Sequence, residues 1–246
     1  MENPKIIIKA WLRGKKPILS GVWNSLLGFI LYTARKSVPF PPLVVVPEDR
    51  GEELYTQLAA FQPTVFIPPW DSDPSSGVPP SSQVLRKRMT GLYQLLETSP
   101  VVVTTLRGLA QRVISPEDFV ENTLVLVKGM TVDREALAHN LVRLGYQRVD
   151  QVEEEGGFSI RGYVIDIFPI NIEMPVRIEL WGDEIESIRA FHPATQTSLY
   201  DLNKVLILPS GRKMSAQSAK LIAEWVRGGG SVIVEGEALL SPAMAA

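Results

Sequence analysis

The chain has 246 residues, of which 45% are apolar, so it is long enough to bury a substantial core and is not a disordered chain. Its formal net charge of -2 supplies no overall positive field that would gather nucleic-acid phosphates. The absence of cysteine excludes disulfides, thiolate metal ligands and cysteine nucleophiles, and it fits a reducing compartment, for which we expect the cytoplasm.

An uncharged run from Pro17 to Ala34 is long enough to be weighed as a membrane span. Its interior contains proline, glycine, serine and asparagine, so we expect a buried strand from Pro17 to Leu19, a turn and a helix, with no membrane association. The turn, Ser20 to Gly28, has leucines where a phosphate-binding loop requires glycine and lysine. We therefore expect no ATP hydrolysis and no cofactor at this turn.

The first section, residues 1–122, alternates short apolar runs with helical stretches. The predicted strands are Leu43–Val46, Thr64–Ile67 and Val101–Thr104, and the predicted helices are Glu48–Phe61, Gln83–Glu97, one that continues through Val113, and one capped by Ser115. The strands are uniformly apolar, which is typical of a parallel sheet covered by helices on both faces. The Pro- and Ser-rich stretch from Pro68 to Pro80 is a predicted surface loop.

The second section, residues 123–208, has the pattern of an antiparallel α+β domain. A strand at Leu124–Val127 and a helix from Asp133 to Leu144, ended by Gly145, precede several alternating strands. This section holds eight Lys and Arg residues against thirteen Asp and Glu residues. Its acidity favours a partner with basic residues over DNA.

The third section, residues 209–246, returns to the α/β pattern. Ser215 is the predicted cap of a helix that carries an apolar stripe and ends at Gly228–Gly230: the stripe is Leu221, Ile222, Trp225 and Val226. A strand follows at Ser231–Glu235. We expect both elements to rejoin the sheet of the first section, which makes residues 123–208 an inserted domain.

The run Val176–Trp181 contains the strongest candidate site. Its alternation sends three apolar residues to the core and three others to the opposite face: Arg177, Glu179 and Trp181. Arginine and tryptophan are enriched in the hot spots of protein–protein interfaces, so this face is a predicted docking surface. The alternative is a solvated cross-strand ladder in which Trp181 lies over a neighbour.

Several other polar residues are candidates for a catalytic, metal-binding or DNA-contacting site. Asp166 resembles a catalytic carboxylate but has no evident second acid or histidine, so we expect a turn or backbone hydrogen bond. His139 and His192 lack metal-ligand spacing. The run Arg86–Arg88 is either a DNA contact or, as we expect, a solvated helix face, and Glu153–Glu155 is a predicted solvated turn. No catalytic or metal-binding residue is predicted.

Several stretches resemble a known domain: Arg161–Pro169, Arg177–Ile188 and Phe191–Gln196. The resemblance extends upstream through Leu144–Val152 and Arg88–Leu96, and it weakens after residue 208. They are similar to the inserted domain shared by the excision-repair protein UvrB and the bacterial transcription-repair coupling factor, Mfd. The resemblance covers most of residues 1–208. UvrB has a working phosphate loop and a tyrosine-rich hairpin, whereas this chain has the leucine-containing turn and a tyrosine-free loop at Pro68–Ser82. The similarity is therefore to the amino-terminal module of the coupling-factor family.

The resemblance implies a degenerate P-loop helicase-like domain, without catalysis, that carries an inserted domain for binding UvrA. It implies UvrA contacts at Arg161, Arg177 and Trp181, with Glu179 at a UvrB contact position and Trp181 where phenylalanine is expected. RNA polymerase and DNA would be reached only through domains absent from these residues. We expect Arg177→Ala to weaken UvrA binding by at least about tenfold without unfolding the chain. The alternative is a UvrB-like, DNA-contacting fragment of a repair helicase.

Overall fold

The computed structural model describes residues 24–35, 42–72, 78–210, 219–222 and 232–234. The predicted first strand, Pro17–Leu19, and the first four residues of the leucine-containing turn, 20–23, lie outside the described residues, and residues 24–28 of that predicted turn begin the first helix that the structure describes. The helices are α1 Asn24–Arg35, α2 Gly51–Ala59, α3 Ser82–Glu97, α4 Leu106–Ala110, α5 Pro116–Glu121 and α6 Arg134–Arg143. The strands are β1 Leu43–Val46, β2 Thr64–Ile67, β3 Val101–Thr105, β4 Arg112–Ile114, β5 Leu124–Val127, β6 Gln147–Arg148, β7 Gly157–Arg161, β8 Val164–Ile167, β9 Val176–Trp181, β10 Glu184–Phe191, β11 Ser198–Leu202, β12 Lys204–Ile207, β13 Ala219–Leu221 and β14 Val232–Val234.

The chain divides into two compact units, and the first draws on the ranges 1–70, 91–112 and 220–246. Its sheet has the order β14-β1-β3-β2, and each neighbouring pair is parallel. Every residue of β1 and β3 is buried, as is typical of a parallel sheet that is covered on both faces. The predicted parallel sheet and the strand near residue 232 are thus confirmed. Identity with a degenerate P-loop helicase fold stays a prediction, and so do the domain boundaries at 122 and 208.

Helix α1 confirms the helix predicted within the uncharged run. Leu27, Ile30 and Leu31 are buried, and Leu27 and Leu31 pack into one cluster with α2, β1 and β3. In the parts of the chain that the structure describes, no helix is long and apolar enough to cross a membrane.

Two helix predictions are wrong in part. The helix expected to run through Val113 stops at Ala110, and the backbone of Gln111 turns to an extended ψ of 143° before β4. The residues of β4 include Val113 and Ile114, whose β-branched side chains fit a strand better than a helix. The prediction of a helix around Leu221 is also wrong, because Ala219–Leu221 is a strand of a two-stranded sheet. The rest of that predicted helix, apart from Ile222, lies outside the described residues.

The second unit draws on residues 71–90 and 113–219. Its main sheet has the order β11-β10-β9-β8-β7-β6 and is antiparallel except between β6 and β7. Asp133 is the N-cap of helix α6, and its Oδ1 accepts from the backbone nitrogens of Glu135 and Ala136 at 2.8 and 2.9 Å. Gly145 follows the helix with φ 88°, a left-handed conformation that glycine adopts readily. The predicted mainly antiparallel α+β pattern is confirmed.

Candidate partner-binding site

Strand β9 presents two different faces. It lies between β8 and β10 in the six-stranded sheet, and its three apolar residues are buried. The other three residues point to the opposite face, where they are half-buried or exposed: Arg177, Glu179 and Trp181. The alternation read from the sequence is therefore correct for every residue of this strand.

A buried carboxylate organises the centre of this face. Asp166 of β8 lies opposite Arg177 in the strand register and is fully buried. Arg177 donates from Nε to Asp166 Oδ1 at 2.7 Å and from Nη2 to Asp166 Oδ2 at 2.9 Å. Arg161, the last residue of β7, donates from Nη2 to the same Oδ2 at 2.7 Å. The expectation that Asp166 serves a turn or a backbone bond is wrong, because its carboxylate forms ion pairs with two arginines.

The guanidinium of Arg177 is held by further contacts. It lies over the ring of buried Phe191, with Cζ 4.7 Å from the centroid, and its Nη2 donates to Gln196 Oε1 at 3.0 Å. Gln196 has φ 59°, which is uncommon for a residue other than glycine. The hydrogen bonds to Asp166 raise the pKa of Arg177, although burial opposes them. Because only 19% of the Arg177 side chain is exposed, little of it is left for a partner.

Glu179 is paired within the same face. Its carboxylate accepts a hydrogen bond from Ser187 Oγ at 2.9 Å and forms an ion pair with Arg189, both on β10. Burial raises the pKa of Glu179, but the hydrogen bonds from Ser187 and Arg189 and the nearby positive charges outweigh burial and hold this pKa below its ordinary value. Glu179 is therefore charged at neutral pH and already has partners.

The stability of the fold should depend on pH through Glu179. Because its pKa in the folded chain lies below the ordinary 4.5, the charged carboxylate stabilises the fold above pH 4.5. This contribution is lost as the pH falls through the lower, folded-state pKa. We expect Glu179→Gln to lower the Tm at neutral pH, and the difference from wild type to disappear in acid. Thermal unfolding over a pH series measures it, with the exposed Glu186→Gln as control; a difference that persists in acid contradicts the prediction.

The two remaining predicted contact residues are accessible. Arg161 donates one hydrogen bond to Asp166 while 52% of its side chain is exposed. Trp181 is 80% exposed at the end of β9, just before Gly182, whose φ of 63° belongs to the β9–β10 turn. A large apolar side chain this exposed gains little from folding. The alternative, in which Trp181 lies over a neighbour in a solvated ladder, does not fit this exposure.

We call the following residues the β9 face: Arg161, Asp166, Arg177, Glu179, Trp181, Ser187 and Arg189. The strand register places them on adjacent strands β7 to β10. The face holds three arginines and two carboxylates, so the net negative charge of residues 123–208 does not come from it. The expectation of a basic partner therefore does not apply to this face as a whole.

Sequence reasoning did not assign four residues to the site: Asp166, Ser187 and Arg189 of the β9 face, and Gln196, which contacts Arg177. Asp166 and Arg189 lie opposite Arg177 on the two neighbouring strands, and Gln196 reaches it from a loop. One signal in the sequence could have indicated Asp166: an aspartate between two isoleucines in an apolar strand. A buried acid requires a charged partner, so such an aspartate predicts an ion pair. Which partner it has depends on strand pairing.

The other polar candidates have ordinary structural roles. Arg88 is fully buried, which lowers its pKa to about 9, so it does not belong to a solvated face or a DNA-contacting one. Arg86 forms an ion pair with Glu155, whose side chain is only 14% exposed, so the turn Glu153–Glu155 is not wholly solvated. Within the described ranges, no group of three or more His, Asp or Glu residues is arranged to hold a metal ion.

The β9 face lies within a stretch of the chain that matches a known family. Residues 124–212 match the family model of the UvrB interaction domain, a range that includes all seven residues of the β9 face. The family model therefore covers the strands β5 to β12 but not the parallel sheet of the first unit.

Similarity to individual proteins extends further along the chain. The chain is 31% identical to the transcription-repair-coupling factor of Escherichia coli K12 over 175 residues, and this match covers 69% of the chain. The chain is 30% identical to the transcription-repair-coupling factor of Myxococcus xanthus over 223 residues, a match that covers 86% of the chain. It is also 30% identical to UvrABC system protein B of Thermosipho africanus over 195 residues, which covers 79% of the chain. The matches span 15%, 19% and 28% of these relatives' own lengths. Residues 124–212 therefore match the UvrB interaction domain family, and the chain as a whole is similar to transcription-repair-coupling factors and to UvrABC system protein B.

Proposed function

We propose that this chain is a non-catalytic adaptor of transcription-coupled nucleotide excision repair, and that its β9 face binds UvrA. The observation that carries the proposal is Trp181, an indole 80% exposed on the same face of the sheet as two arginines that share a buried carboxylate. Exposed tryptophan and arginine are the side chains that most often dominate the energy of a protein–protein interface.

The rigidity of the face supports a role in recognition. Arg177 and Glu179 are held by hydrogen bonds to Asp166, Gln196, Ser187 and Arg189 in the free chain. Side chains that are already ordered lose less conformational entropy when a partner binds. The partner surface that fits this face has an apolar pocket for the indole of Trp181 and an acceptor for the free donors of Arg161.

The relatives support UvrA as the partner in this proposal. The family is named for the interaction domain of UvrB, and the related proteins include the UvrABC system protein B and transcription-repair-coupling factors. UvrA is the protein that these two classes of relative would have in common. In the full-length relatives, contacts with RNA polymerase and DNA would belong to domains that this chain does not match.

The absence of catalysis is also part of the proposal. The turn from Ser20 to Gly28 lacks the lysine that would reach the phosphates of ATP. From the sequence Asp166 resembles a catalytic carboxylate, but in the structure it forms ion pairs with Arg161 and Arg177. A carboxylate that two guanidinium groups neutralise is poorly placed to accept a proton from a substrate.

A titration of the chain with UvrA tests this function. We expect saturable binding by calorimetry or biolayer interferometry, no ATP turnover by the chain alone, and no salt-dependent binding to duplex DNA. The rival function, a DNA-contacting fragment of a repair helicase, predicts the opposite pattern. The proposal is abandoned if UvrA does not bind, or if ATP turnover persists in a preparation from which contaminating ATPases have been removed.

A further inference from the structure

We propose that Asp166 is the positioning residue of the β9 face: its buried carboxylate holds Arg161 and Arg177 in the arrangement that the partner recognises. This inference rests on the proposed function of the face. Asp166 makes no contact with a partner itself, because it is fully buried, and it would act only through the two arginines.

The geometry of the hydrogen bonds is the first argument. Asp166 Oδ2 accepts from Arg161 Nη2 at 2.7 Å and from Arg177 Nη2 at 2.9 Å, so these nitrogens can be no further apart than the sum of the two distances. Two guanidinium groups this close repel each other unless a negative charge lies between them. Arg189 lies opposite Arg177 on β10 and adds a third positive charge to the face. Asp166 is therefore required for Arg161 and Arg177 to lie side by side.

The surroundings of Asp166 strengthen these bonds. Arg177 stacks on Phe191, which belongs to a small apolar cluster with Val152 and Phe168. Gln196 accepts from Arg177 Nη2 and is itself held by its Nε2 donating to the carbonyl oxygen of Pro193 at 2.6 Å. Charged hydrogen bonds in such partly apolar surroundings are stronger than the same bonds in water.

Stability alone does not explain a carboxylate at this position. Replacing a buried ion pair by apolar residues of similar volume is often neutral or stabilising. The retained charge is explained by its effect on the accessible arginine: Arg161 is 52% exposed and keeps N–H donors for a partner, while Arg177 is nearly covered and anchors the pair.

The first test needs no substitution. In nitrogen-15 NMR spectra of the wild-type chain, we expect the Arg177 Nε–H signal to exchange slowly with water, because Nε donates to a fully buried carboxylate. The Nε–H of an exposed arginine such as Arg143 supplies the comparison. Exchange of Arg177 as fast as that of Arg143 would overturn the proposal whatever the variants do.

The second test is Asp166→Asn, which keeps the shape of the side chain and removes its charge. We expect the folded variant to lose the slow Arg177 signal and to bind UvrA at least about tenfold more weakly. In an Arg161→Ala background, the fold-loss of UvrA affinity caused by Asp166→Asn should be at least about threefold smaller, because part of the effect of Asp166 acts through Arg161. Glu135→Gln removes an exposed carboxylate from α6 and should leave the affinity unchanged.

The outcomes separate this proposal from the proposed function. If wild-type chain does not bind UvrA, the function fails and the positioning role falls with it. If wild-type chain binds and folded Asp166→Asn, judged by near-UV circular dichroism, binds equally well, the function stands and only the positioning role is refuted. A tenfold loss that is equally large with and without Arg161 also refutes it, because a residue that acts through another must couple to it.

Discussion

Trp181→Ala should weaken the binding of UvrA by at least about thirtyfold while leaving the stability of the chain unchanged. Removal of a hot-spot tryptophan commonly costs about 2 kcal/mol or more, and about 1.4 kcal/mol corresponds to a tenfold change in Kd. The side chain is 80% exposed, so its removal takes almost nothing from the folded core. We expect the free energy of unfolding to stay within about 0.5 kcal/mol of wild type.

The measurement is a titration of UvrA with wild type and with each variant, combined with a denaturant unfolding curve for each chain. Tyr200→Ala is the matched control, because Tyr200 is also an exposed aromatic residue but lies on β11, the edge strand of the same sheet. Equal losses of affinity for the two variants would show that exposed aromatic surface in general, and not the β9 face, binds the partner. An unchanged affinity for Trp181→Ala would remove the main support for the proposed site.

Arg177→Ala should lower the free energy of unfolding by about 3–5 kcal/mol, the usual cost of removing one member of a buried ion pair. Asp166 is fully buried and would keep a single hydrogen bond, from Arg161, in place of three. The substitution also uncovers one side of Phe191. From the sequence we expected this variant to lose affinity without unfolding; the buried ion pair predicts a large loss of stability in addition.

Urea unfolding curves of wild type and variant measure this loss. Arg189→Ala is the control, because Arg189 also forms an ion pair on the β9 face, yet its side chain and that of Glu179 are 33% and 34% exposed. Such a half-exposed pair contributes at most about 1 kcal/mol. A loss below about 1 kcal/mol for Arg177→Ala would mean that solvent or Arg161 compensates for the missing guanidinium. Affinities of this variant have to be measured on its folded fraction.

The contrast between these two residues has a practical consequence for locating the site. Trp181 and Arg161 are accessible and can be changed at little cost to the fold, whereas Arg177 and Asp166 support the structure of the face itself. A loss of binding in Trp181→Ala or Arg161→Ala therefore reports on contact with the partner. A loss in Arg177→Ala combines contact with altered folding.

Local patterns in the sequence were sufficient for several features. Uniform valine runs predict the buried parallel strands β1 and β3, since such runs suit a sheet covered on both faces. Ser115 predicts the start of α5, where its Oγ accepts from the backbone nitrogen of Asp118 at 3.1 Å. Period-two alternation in β9 predicts which residues face the core. Each of these rests on interactions between residues close in the chain or on burial of a whole element.

Several features that depend on contacts between distant segments were not predicted. The extended chain at residues 112–114 and 219–221 replaced expected helix, because sheet hydrogen bonding outweighs weak helical propensity in short segments. Arg88 was expected on a solvated face and is fully buried. Nothing in the sequence near Arg88 distinguishes its environment from that of its neighbours in α3.

The sequence by itself determined that residues 176–181 form a strand whose arginine, glutamate and tryptophan share one face, since alternation is a property of any extended chain. Only the tertiary structure decided how those residues differ. It placed Asp166 opposite Arg177, covered that guanidinium with Phe191 and Gln196, and left Trp181 exposed. The reason is physical: burial and ion pairing depend on which strands are neighbours, and strand order is set by packing of the whole domain.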